Sequence, residues 1–189
     1  MTLLRLAPVA ALFGCLAAPA LAATAVPVEH FDGVGLEGGG HVVIKHGAQQ
    51  RVTLIDGSAQ HTKIRVEHGS LKIDACNQDC PHEYKLNIEI VTPELSAAAI
   101  EGGGHIVAES GFPSQRELSA AVEGGGHLDL SAIAADKVSA AVDGGGHIQV
   151  RAGKSLSAAV NGGGSIVYEG DPEVASAIDG GGSVSKAAK

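Results

Sequence analysis

Large side chains are scarce in this sequence of 189 residues, which has no Trp, one Met, two Tyr and three Phe. A core of bulky interlocking groups is excluded. The apolar content falls to Ala, Val, Ile and Leu, which suit thin, regularly stacked strands. Basic residues are also few: 13 Lys and Arg stand against 21 Asp and Glu, a formal charge of −8. A nucleic-acid partner, which wants a basic surface, is disfavoured. The apolar run from Leu6 to Leu21 contains Pro8 and Pro19 and is short of the roughly 20 residues that a membrane span needs.

That run has another use. Arg5 precedes it and Ala20-Leu21-Ala22 closes it, the order of a secretory signal with a small-residue cleavage site. Residues 1–22 are therefore expected to be removed, with no transmembrane span left and the mature chain in the periplasm, at the cell surface or secreted. Cys15 lies in a weak lipidation box spoiled by Phe13. Cleavage leaves two cysteines, Cys76 and Cys80. Export favours a disulfide across their short loop; the competing reading is a metal pair with His82 as third ligand.

Self-similarity is the strongest signal. Segments Leu95 to Ile106, Leu118 to Leu128, Val138 to Ile148, Leu156 to Ile166 and Val174 to Val184 align, with Gly triplets starting at Gly102, Gly124, Gly144, Gly162 and Gly180. The period contracts from 22 through 20 to 18 residues. Turns this short bury their apolar face only by stacking on one another. One more copy, Glu37 to Val42, starts its triplet 64 residues before Gly102, leaving space for about three turns of similar length. The expected fold is all-β, a right-handed parallel β-helix, or solenoid. Residues 23–92 form its strand-rich N-terminal part and 93–189 its Gly-Gly-Gly turns, within one domain. Alternation places Leu118, Ala120, Val122, Gly124, Gly126, Leu128 and Leu130 inward. Inward glycines mark a corner.

Stacking turns repeated positions into columns about 4.8 Å apart. One column holds Glu101, Glu123, Asp143, Asn161 and Asp179, and another His105, His127, His147, Ser165 and Ser183. The imidazoles at His105, His127 and His147, helped by Glu101, Glu123 and Asp143, could hold Zn or Cu. The plainer reading is a solvated ladder copied along with the repeat; apart from that ion no cofactor is expected. A third column, Ala99, Ala121, Ala141, Ala159 and Ala177, offers a flat strip for an envelope or surface partner or for self-association. Alternatively, the chain's own N-terminal segment covers it.

Catalytic motifs fail on inspection. Gly153-Lys154-Ser155 ends like a phosphate loop, but Ile148 stands where its first Gly belongs. His82-Glu83 begins a metalloprotease pattern that stops at Leu86, and no Ser sits in a G-x-S-x-G elbow. The chain is expected not to be an enzyme. Four segments carry a resemblance: Val28 to Phe31 followed by Val34, Gly69 to Ile73, Asn87 to Leu95, and Tyr168 to Pro172 leading to Asp179 to Val184. Together they resemble the head GIN domain family of putative autotransporter adhesins, exported β-solenoid proteins of Gram-negative bacteria. The resemblance implies an adhesion or interaction scaffold at the cell envelope. Where the family has Ser-Gly-Ser-Gly-Asp this chain has Glu-Gly-Gly-Gly-His, so no ligand of a relative carries over.

Overall fold

Aliphatic and polar side chains alternate through most of the sequence after Ala23, and a period of two buries one face of a strand. The computed structural model describes residues 23–77 and 79–188; the expected signal, with Cys15, lies outside them. No helix occurs among the described residues, and none is long and apolar enough to cross a membrane. The N-terminal part supplies β1 (Thr24–Val26), β2 (Gly33–Gly38), β3 (His41–His46), β4 (Arg51–Asp56), β5 (Lys63–Glu67), β6 (Ser70–Asp74) and β7 (Asn87–Thr92). The repeats supply β8 (Ala97–Gly102), β9 (His105–Ala108), β10 (Gln115–Gly124), β11 (His127–Gly144) and β12 (His147–Gly162). They continue through β13 (Ser165–Glu169), β14 (Glu173–Gly180) and β15 (Ser183–Lys186).

The fifteen strands of the described residues join one sheet of mixed direction. The repeats pair in parallel and in register, so that Val122 meets Val142, Glu123 meets Asp143 and His127 meets His147. One wall runs β5-β6-β2-β8-β10-β11-β12-β14, and the other β1-β4-β7-β3-β9-β11-β12-β13-β15. β11 and β12 belong to both because each strand runs on around a corner, where the β11–β12 pairing shifts register between Asp129 and Ala134 and again between Ala135 and Lys137. Between the walls lie columns of aliphatic groups, among them Leu118, Val138 and Leu156, each at most 2% exposed.

Two features depart from the sequence expectation. No three turns separate Gly38 from Gly102: the two are direct partners, and His41 pairs with His105. The intervening chain instead turns back to the far side of β2 and β3, where β6 and β7 form the next rung. Leu71, Ile73, Ile88 and Ile90 place their side chains in the same buried columns, so burial sets the stacking order and chain order does not. Nor is the stack wholly parallel, since β1–β4, β4–β7 and β5–β6 are antiparallel. Tyr84 fastens this end by accepting from the Ser58 amide at 2.8 Å and meeting Thr62 Oγ1 at 2.5 Å.

Candidate functional site

The Gly triplets make the corner on which the polar columns stand. At Gly144 the backbone takes φ +114°, a left-handed conformation open to Gly, and an added Cβ would lie 2.7 Å from the carbonyl oxygen of Gly124. At Gly146 a Cβ would press into the Val122 side chain and lie 3.0 Å from Gly126 O. At Gly145 it would meet nothing within 4 Å. Close approach is what lets Gly145 N donate to Gly124 O and His147 N donate to Gly126 O, both at 2.9 Å. Gly124 is exposed and Gly126 buried, so the inward place expected of Gly124 is lost at the bend and the alternation resumes at Gly126.

Beyond the corner the imidazoles stack. Ring centroids lie 5.0 Å apart for His41 and His105, 4.6 Å for His105 and His127, and 5.0 Å for His127 and His147. The last two pairs are within 19° of parallel. His147 Nδ1 continues the line by hydrogen bonding Ser165 Oγ. Burial, then repulsion by His127 and by His41, holds His105 below the ordinary imidazole value of 6.5, against an upward pull from Asp129. Burial and His127 depress His147 in the same way, again opposed by Asp129.

His105, His127 and His147 are therefore brought together as the sequence suggests, and His41 joins them. The identical Gly-Gly-Gly-His run at residues 38–41 carried that signal, but the assumed three-turn gap hid it. Stacking does not by itself make a metal site: imidazole nitrogens bind in the ring plane, so face-to-face rings point their donors side by side and not at one ion. No group of three or more His, Cys, Asp or Glu among the described residues is arranged to hold a metal. Glu101, Glu123 and Asp143 form their own ladder on the other side of the glycines, extended by Glu37 at one end. At the other end Asn161 Nδ2 donates to Asp143 Oδ1 at 3.3 Å. Cys76 and Cys80 are joined by a disulfide.

Beside the acids the alanine column forms the floor of an open groove of about 590 Å³, lined by Ala99, Ala121, Ala141, Ala159 and Ala177 with Glu101 to Asp179 along its margin. The class these features define is an all-β protein whose paired strands present columns of like side chains.

Residues 30–116 and 113–172 match the family described as "Putative auto-transporter adhesin, head GIN domain". Since these segments cover more than half of the sequence, the chain belongs to that family. Among solved structures it is similar to a putative adhesin from Bacteroides fragilis NCTC 9343, with 18% identity over 88% of this chain and 96% of that one, at a TM-score of 0.54. A putative adhesin from Parabacteroides merdae ATCC 43184 shares 13% identity over the same proportions, at a TM-score of 0.44. The first likeness speaks to fold alone. Among curated proteins none matches this chain.

Proposed function

We propose that the chain is an exported, non-enzymatic scaffold for adhesion or interaction at the cell envelope, wound as a right-handed parallel β-helix. The in-register parallel rungs support the winding, and membership of the adhesin family supports the role. The observation that carries the reading is the alanine groove. It runs over five rungs with a flat apolar floor and an acidic margin. Methyl groups lose no rotamer entropy on being covered, and the rigid ladder beneath fixes their spacing, so a repetitive partner can meet them without reorganising the protein.

Ala121 and Ala141 are exposed, so Ala121→Arg with Ala141→Arg fills the groove while leaving the core intact. Binding of the labelled mature chain to intact bacterial and epithelial cells is expected to fall about tenfold, a loss of about 1.4 kcal/mol. Unchanged binding by a folded double variant would remove the groove from the proposal. Export is checked separately: the chain recovered from the envelope fraction should begin at Ala23, and an intact residue 1 on that chain would contradict cleavage.

A further inference from the structure

The two ends of the sheet are finished differently. At one end antiparallel strands β4 and β5 lie over the first rung, with β1 beyond β4. At the other, β14 pairs only with β12 among the described residues, leaving one backbone edge open. The core columns register the difference. Leu118, Val138 and Leu156 are 1–2% exposed, but their successor Val174 is 38% exposed; Val122, Val142 and Val160 are likewise 1–2% exposed and are followed by Ile178 at 47%. Two buried columns therefore end on uncovered side chains beside unsatisfied strand edges, the arrangement that templates pairing with another chain.

The outward residues of the same strand specify charge. Glu173 and Asp179 bracket the two aliphatic residues and both are exposed. We propose that β14 accepts an extended basic segment of a partner protein, which adds to the sheet as a further rung. The segment carries apolar residues four apart to cover Val174 and Ile178, and a Lys or Arg immediately outside each to face Glu173 and Asp179. Because this pattern is symmetric, it fits in either strand direction. Backbone hydrogen bonds supply affinity, and the alternate side chains select the sequence.

A second copy of this chain fits less well. Two β14 strands related by a twofold axis, with Val174 opposite Ile178, would place Glu173 opposite Asp179, a like-charge pair. The chain's own basic edge, β5 with Lys63 and Arg65, has suitable composition. However, β1 stands one strand further out on the adjoining wall, in the space that the last rung of the neighbour would need.

The test uses the mature chain and a blocked heptapeptide, Lys-Val-Thr-Ser-Thr-Val-Lys, with binding followed by fluorescence anisotropy and amide exchange. Saturable binding is expected, with slowed exchange confined to β14. Glu173→Lys with Asp179→Lys, or Ile178→Lys alone, should weaken it roughly tenfold, as should replacing both peptide lysines with Glu. Ala121→Arg with Ala141→Arg should leave it unchanged, so that this site and the alanine groove fail separately. No binding at about 1 mM peptide, or equal binding by the charge-reversed variant, would overturn the proposal. So would concentration-dependent self-association of the wild type that Ile178→Lys abolishes in sedimentation, since the occupant would then be a second copy.

Discussion

Gly144→Ala is expected to lower stability by about 2–4 kcal/mol, whereas Gly145→Ala, one residue away, changes it by no more than about 0.5 kcal/mol. The difference comes from two separate costs at Gly144. Its φ of +114° is unfavourable for any residue with a Cβ, on the order of 1–2 kcal/mol. The new carbon would also sit 2.7 Å from Gly124 O, and relieving that contact pushes apart the rungs joined there by the 2.9 Å bond from Gly145 N. Losing such a bond costs about 1 kcal/mol. Gly145 has neither a left-handed φ nor a neighbour within 4 Å of an added Cβ, and Ala would even reduce the freedom of the unfolded chain there. Gly146→Ala should fall between them, because part of its conflict is with the side chain of Val122, which can shift. Guanidinium unfolding of the three variants measures the order directly. Equal losses at all three positions would mean that the corner is not held by close backbone approach.

The columns were legible because the repeat spells them out: once Leu118, Val138 and Leu156 align in sequence, their stacking follows from the need to bury small apolar faces. The same reasoning places His105, His127 and His147 over one another, as the structure has them. It fails where the repeat stops. Between His46 and Asn87 no triplet recurs, and alternation in Arg51 to Asp56 or Lys63 to Glu67 is equally consistent with parallel and antiparallel pairing, since both have a period of two. Stacking order was also hidden. Gly38 lies directly against Gly102 although a whole rung of chain, β6 and β7, is made between them. The inward place assigned to Gly124 failed for a local reason: the backbone bends there at a φ of +104°, and the buried positions resume in the expected phase at Gly126, Leu128 and Leu130.

Acidification from pH 7.5 to pH 5 is expected to lower the melting temperature by roughly 4–8 °C, an effect that His105→Gln, His127→Gln and His147→Gln together should remove. Rings 4.6 and 5.0 Å apart are comfortable when neutral. Charged, each adjacent pair repels by about 1–2 kcal/mol at the dielectric of a half-covered surface, and solvent and salt screen part of that. The groups facing the column are His41 on β3, Asp129 two residues along β11, and Ser165, which hydrogen bonds His147. Of these only Asp129 is a carboxylate and favours the charged form, and its pull is outweighed, because His105 and His147 remain below 6.5. The sign follows from proton counting. With the folded value depressed, the unfolded chain binds more protons through this window, so stability rises with pH. The full contribution is present above about 6.5 and is lost as pH falls from there through the lower folded values. The triple substitution separates the share of the slope that belongs to the stacked imidazoles from that of every other titrating group. A melting temperature flat from pH 7.5 to 5, or a slope that survives the triple substitution, would show that the stacked rings are not what acid disrupts.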